Sequence, residues 1–382
     1  MFLIKNGFVH DAIHEKPYAA DVLVENGKIK AISADLSADA ETVDASGLSV
    51  YPGFVDAHSH IGLNGYGIGY ECLENNEKND SVCPQLRGID GFNPFDAALP
   101  EARDAGVTTV CVGPGSANVV GGTFAVMKTA GKSADDMCVI PAAAMKCAFG
   151  ENPKKIHRES DISSRMTVAA KLRELLFKSF EYDSKLRAAG DDPAKAPAFD
   201  MKLHAMLPVV RGEIPLKAHA HQTNDILTAI RIAKEFGVKM TLEHVTEGHL
   251  VADIIAEAGY PVAVGPSASY PSKYELRGKT WETPAVLHRA GCRVSITCDA
   301  PVTRQNFLPL WAGLAVRAGL DPFAALQAIT INPARHIGAD ARVGSLEIGK
   351  DADIVLTDGS PFEINTRVCR VWIDGKEVFA AR

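Results

Sequence analysis

Two histidines stand two residues apart in "PGFVDAHSH", His58 and His60, at the end of an apolar run that follows Pro52-Gly53. Neutral imidazole suits a borderline divalent cation such as zinc, and the two-residue period of a strand turns both rings to one side. More residues of this kind follow. Glu151 comes just after "AAAMKCAFG", His219 and His221 lie in "PLKAHAH", His244 ends "VKMTLEH", and Asp299 follows "VSITC". Singly, each has a plain structural reading: an isolated His-x-His is more often incidental, and a His ending a buried strand is usually a satisfied polar residue. What needs explaining is that they all fall where an apolar, strand-like run gives way to a loop.

Those runs belong to a repeating unit. "PLKAHAH" reads as a strand, and "NDILTAIRIAKEFG" as a helix with Ile226, Ile230 and Ala233 on one face, Asn224 or Asp225 to cap it and Gly237 to end it. "VKMTLEH", "HLVADIIAEAG", "PVAVG", "TPAVLHRAG" and "CRVSITCDA" continue the alternation, which requires parallel strands joined by right-handed crossovers. Upstream, "FVDAHSH", "VTTVCVG" and "CVIPAAAMK" are strand candidates, with "FAVMKTAG" a weaker one. About eight strands predict an α/β fold, a (β/α)8 TIM-like barrel over residues 51–338, with its polar residues gathered at the C-terminal mouth. No GxGxxG follows the first strand, which removes the main support for a dinucleotide-binding sheet.

The ends differ from the middle. "FLIKNGFVH", "ADVLVENGKIKAISADL", "KDADIVLTD" and "RVCRVWIDGKEVF" alternate around Asn-Gly and Asp-Gly turns. Residues 1–50 and 339–382 are therefore expected to join in one small composite β-sandwich domain.

Composition narrows the class of function. A net charge of −7 gives no support to nucleic acid or an anionic membrane as partner. No run approaches a membrane span, and "MFLIKNGFVHDAIHEK" turns polar too soon for a signal-peptide core. Eight cysteines without a CxxC pair indicate neither a disulfide framework nor a cysteine zinc site, so a reducing cytoplasm is the expected home.

The stretches "YPGFVDAHSH", "AFGENPK", "KAHAHQTNDI", "TLEHVTEG", "SITCDAP", "TINPARHIG" and "VGSLEIGKDADIVL" carry a resemblance. The chain resembles the amidohydrolase superfamily, and most its imidazolonepropionase-related branch. The resemblance implies a distorted (β/α)8 barrel, one or two divalent metal ions with zinc foremost, and hydrolysis of an amide or related C–N bond. It places His58 and His60 as first-strand ligands, His219 as the fifth-strand ligand, His244 as the sixth and Asp299 as the eighth-strand aspartate. His221 is assigned near the metal or the substrate. Many relatives use a carboxylated lysine on the fourth strand in an apolar-Ile-Lys-Ile setting that this sequence lacks. Glu151 is the favoured replacement, because a ready-made carboxylate needs no modification, and Lys146 in carboxylated form is the alternative.

In the expected chemistry the metal activates water and Asp299 takes its proton, later returning it to the leaving nitrogen. His244 or His221 would stabilise the tetrahedral oxyanion. Substrate choice falls to loops: Tyr66, Tyr70 and Arg87 after the first strand, Arg304 after the eighth, and the glycine-rich "GPGSANVVGG", which lacks a P-loop lysine. The expected partner is a small molecule, with a homo-oligomer left open. A cyclic amide of the imidazolone type competes with N-acyl amino acids, dipeptides and deamination, and the intact ligand set weighs against a non-catalytic scaffold.

Overall fold

The computed structural model describes residues 1–67 and 69–381. Five strands open the chain: β1 Phe2–Val9, β2 Tyr18–Glu25, β3 Lys28–Ser33, β4 Glu41–Asp44 and β5 Ser49–Pro52. Eight form the central sheet: β6 Phe54–Ser59, β7 Val107–Val112, β8 Val120–Lys128, β9 Cys138–Ala148, β10 Leu216–Ala220, β11 Met240–His244, β12 Val262–Val264 and β13 Val294–Ile296. Three close the chain: β14 Ile354–Thr357, β15 Val368–Ile373 and β16 Lys376–Ala380.

Both ends of the chain meet in one sheet, ordered β16-β15-β14-β5-β1-β2-β3 with β4 on β1. Two of its turns were legible as residue pairs. Asn26-Gly27 and Asp374-Gly375 all have positive φ, as the tight hairpin turn matching strand twist requires. Asn6-Gly7 does not make the turn its sequence suggests. It sits inside β1 at a register shift, where the Asn6 N–H donates to Asp21 Oδ1 and a Cβ on Gly7 would lie 2.4 Å from Val50 Cγ2.

The central sheet runs in chain order from β6 to β13 and curls until its edges meet. Thr297 Oγ1 donates to the His58 carbonyl at 2.6 Å, and the His60 N–H donates to the Ala300 carbonyl at 2.9 Å, fastening the seam. Most strands are buried on both faces, the mark of a sheet covered by helices outside and packed side chains within. The helix Thr223–Phe236 buries Ile226, Ala229, Ile230 and Ala233 and ends at Gly237 in the left-handed region, as its spacing predicts. Neither Asn224 nor Asp225 caps it. Gln222 holds the N-cap position, and Asp225 pairs with Arg165 at 2.9 Å.

Strict βα alternation fails at one place. β8 runs antiparallel to both β7 and β9. The connection 113–119 is too short for the crossover of about a dozen residues that a parallel return needs, so the chain folds back as a hairpin. As a result Lys128, ending β8, lies at the far end of the barrel from the other strand ends. There it is buried against Asp353 (2.8 Å), Asp351 (3.1 Å) and Asp374 (3.4 Å), tying the barrel to the terminal sheet. Among the described residues no helix is long and apolar enough to cross a membrane.

Candidate metal centre

The ends of β6, β9, β10 and β11 and the turn after β13 bring His58, His60, Lys146, His219, His221, His244 and Asp299 together. His58, His244 and Asp299 offer ligand atoms within 4.8 Å of one another, and so do His219, His221 and His244. His244 belongs to both groups. His60 Nε2 lies 3.2 Å from Asp299 Oδ1, and His58 Nε2 lies 3.8 Å from the same oxygen. The backbone is strained where two of these groups emerge: His244 (φ 72°), Val245 (φ 43°) and Asp299 (φ 50°) occupy the left-handed region without being glycine. Such strain persists where the surroundings hold a side chain in a required direction.

Each of the five imidazoles is held through Nδ1. His58 donates to Glu243 Oε2 (2.9 Å), His60 to the Gly113 carbonyl (2.7 Å) and His244 to the Gly265 carbonyl (2.8 Å). His219 is hydrogen-bonded to Ser116 Oγ (2.9 Å) and His221 to Thr246 Oγ1 (2.7 Å). A carbonyl or carboxylate partner requires the proton on Nδ1, which leaves the Nε2 lone pair pointing inward. Burial lowers the basicity of His58, His219 and His221 far below the ordinary range and that of His244 to about 4, against the pull of Asp299. Those four rings are therefore neutral at pH 7. For Asp299, burial works in the opposite sense, but His244, His60 and His58 outweigh it and hold the carboxyl well below the usual range.

The two fourth-strand candidates separate clearly. Lys146 is fully buried on β9, with Nζ 3.1 Å from His58 Nε2, and burial brings its pKa down to about 8. Glu151 begins the helix Glu151–Ile156 and lies outside both groups. Its Oε2 accepts from the Glu275 N–H at 3.2 Å, while its own N–H donates to Glu275 Oε2 at 2.8 Å.

Several supporting residues escaped the sequence reading. Glu243 is buried beneath the site and accepts from His58, Lys217 Nζ (3.0 Å), His336 Nε2 (2.8 Å) and Thr241 Oγ1 (2.6 Å). Lys217 and His336, in addition to the second histidine neighbour, outweigh the burial that would otherwise raise its pKa, so it stays ionised. Asp56 ties β6 to the eighth-strand turn, accepting from Cys298 N–H (2.9 Å) and Gln305 Nε2 (2.6 Å). Glu275 reaches the site from the loop after β12. The available signal was a charged residue inside an otherwise apolar strand, as with Glu243 in "MTLEH" and Asp56 in "FVDAH".

The loop candidates lie on two concavities. Tyr66 and Arg304 meet through Arg304 Nη2 donating to Tyr66 Oη at 2.6 Å, and both line a cavity of about 200 Å³ beside Ile61 and Ala300. Tyr70 and Arg87 line a wider cleft of about 940 Å³ that reaches Pro114 and Gly121. A Cβ placed on Gly121 would lie 3.7 Å from Lys146 Cγ, so this cleft abuts the lysine.

The donor set fits a divalent cation such as zinc: five imidazoles, an ionised carboxylate, and His244 Nε2, which among the described residues is buried without a hydrogen-bond partner. The amidohydrolase family matches residues 49–378. A solved structure of an amidohydrolase from Thermotoga maritima is 41% identical, with a TM-score of 0.96 and 100% of each chain covered. The protein amidohydrolase tasK of Hapsidospora irregularis is 30% identical over 95% of this chain, which spans 40% of that protein's length. An imidazolonepropionase of Thermoplasma volcanium is 26% identical, covering 94% of this chain and 90% of its own.

Proposed function

Because this chain belongs to the amidohydrolase family and so is a hydrolase of C–N bonds, we propose that it cleaves a small cyclic amide at the mouth of its barrel. The gathering of His58, His60 and His244 about Asp299, with His219 and His221 grouped on the other side of His244, carries this reading. His58, His60, His219 and His244 would hold the metal, zinc foremost, with Asp299 at its edge. Such an ion supplies Lewis acidity and lowers the pKa of water toward about 7.

The chain's own groups do the rest. Asp299, ionised and partly open to the mouth, is placed to take a proton from the attacking water and return it to the leaving nitrogen. His244 is assigned to ligation rather than to oxyanion donation, since its Nδ1 proton is spent on the Gly265 carbonyl. Lys146 replaces Glu151 in our assignment of the fourth-strand donor. Its amine lies against His58, whereas the Glu151 carboxylate is engaged by a backbone amide. Reaction of the neutral amine with CO2 would form an N–C bond, release one proton and leave a carbamate anion. Tyr66 and Arg304 are proposed to border the substrate. Residues 1–50 with 339–382, and residues 51–338, are proposed as separate domains.

The test is a hydrolysis screen over cyclic amides, N-acyl amino acids and dipeptides, using metal-loaded and chelated protein. Turnover of a cyclic amide that chelation abolishes is expected. Turnover confined to dipeptides would replace the substrate assignment, and turnover indifferent to chelation would remove the metal.

A further inference from the structure

Next to Glu151 in "AFGENPK", Asn152 reaches the centre that Glu151 misses. Its Nδ2 lies 3.5 Å from His219 Nε2, and its Oδ1 accepts from Lys273 Nζ at 2.9 Å. An ammonium carries three donors and no acceptor, so only the amide oxygen can face it. The Asn152 amide is thereby turned with its NH2 toward the imidazole. The ammonium is itself held: Lys273 Nζ lies 2.5 Å from Oε1 of Glu275, whose carboxylate is completely buried. Glu275 Oε2 accepts from the Glu151 N–H at 2.8 Å, and the Glu275 N–H donates back to Glu151 Oε2 at 3.2 Å. These reciprocal bonds tie the loop after β12 to the turn after β9. The contact to His219 is long for a hydrogen bond, and among the described residues Asn152 Nδ2 has no closer acceptor.

We propose that Asn152 Nδ2 donates to the oxyanion formed on the substrate carbonyl during hydrolysis, with Lys273 and Glu275 as positioning residues. This deepens the reading of C–N hydrolysis above and rests on it. An oxyanion donor is wanted there, because the His244 Nδ1 proton is spent on the Gly265 carbonyl. As the water oxygen bonds to the carbonyl carbon, the C=O π pair moves onto the carbonyl oxygen and Asp299 takes the proton that the water gives up. A donor already aimed at that oxygen stabilises the new charge without reorganising. A carboxamide has no proton to lose near neutral pH, so it does not compete with Asp299 in the transfer. An ion held by His219 would occupy the Nε2 lone pair and leave the Asn152 N–H for a substrate oxygen.

The experiment uses the full chain loaded with zinc, with ions per chain and thermal melting as controls. Calorimetry reads the affinity for methylphosphonate, a tetrahedral anion, and kinetics read kcat and KM on the best substrate of the hydrolysis screen. Asn152→Ala should hold zinc like wild type and bind methylphosphonate at least about 10-fold more weakly, as for a lost hydrogen bond to a charged group. Its kcat should fall by about 100-fold, with KM nearly unchanged. Asn152→Asp keeps the shape without the donor and should lose at least as much, which keeps the test alive if the alanine variant fails to fold. Lys273→Met should lose part of the methylphosphonate affinity, and Lys273→Arg should retain it. Wild-type methylphosphonate affinity in either zinc-loaded Asn152 variant overturns the inference, as does loss of zinc from both. A zinc-loaded wild type that does not bind methylphosphonate overturns it too. A wild-type protein that takes up no zinc would instead defeat the metal reading itself.

Discussion

Replacing Glu243 by Gln tests whether the buried network under the site holds the barrel together. The carboxylate accepts from His58, Lys217, His336 and Thr241 at 2.6–3.0 Å, all of it inside the barrel. The amide keeps the shape and loses the charge, so the Lys217 ammonium is left buried without a counter-ion. Removing one partner of a buried pair costs about 3–5 kcal/mol. With an unfolding entropy of about 2.1 cal/mol/K per residue, a 382-residue chain has roughly 0.8 kcal/mol/K. Glu243→Gln should therefore lower Tm by about 4–6 °C in a reversible thermal melt. Adding Lys217→Met removes the stranded charge and should recover about half of the loss. A single variant melting within about 1 °C of wild type, or a double variant no better than the single, would refute the reasoning.

Other outcomes follow from the same geometry. Asp299→Asn should keep bound metal, measured by elemental analysis, while turnover falls by at least about 100-fold; full activity in a metal-loaded variant would end the proton-transfer role. Native mass spectrometry of protein prepared under CO2 should show a mass gain of one CO2 that Lys146→Arg abolishes; an unmodified wild type with full activity would return the fourth-strand position to Glu151. At the far end of the barrel, Asp351 is buried, which opposes ionisation, yet Lys128, Lys28 and Arg342 outweigh this and bring its pKa down to about 2. A depressed carboxyl stabilises the fold above its ordinary value near 3.8 and loses that contribution as pH falls through about 2. Asp351→Asn should therefore melt below wild type at neutral pH, with the gap closing between about pH 4 and pH 2. A gap independent of pH would mean that packing, and not charge, is what Asp351 contributes.

The barrel and its mouth were legible because they rest on short-range signals. Apolar runs of strand length ending in His or Asp placed His58, His60, His219, His244 and Asp299, and turn pairs such as Asn26-Gly27 marked hairpins. The errors have a common physical source, which is that local sequence does not specify what a side chain meets across the fold. Asn6-Gly7 reads as a turn but is absorbed as an irregularity of β1 by Asp21 and Val50. The short glycine-rich link 113–119 reads as a substrate loop, yet its length forces β8 to run backward and places Gly113 and Ser116 against His60 and His219. Glu151 and Lys146 are five residues apart, and only the β9 register decides which one reaches His58. Glu275 was invisible for the opposite reason, since a glutamate in a long polar loop carries no local sign of its burial.

The central claim is that a metal sits among the Nε2 atoms of this centre. Anomalous diffraction from zinc-loaded crystals, recorded on both sides of the zinc absorption edge, tests it most directly. The account predicts an anomalous peak bounded by His58, His60 and Asp299, lost when His58 and His60 are both replaced by alanine. An active wild-type crystal with no peak there, or a peak that survives the double replacement, would contradict it.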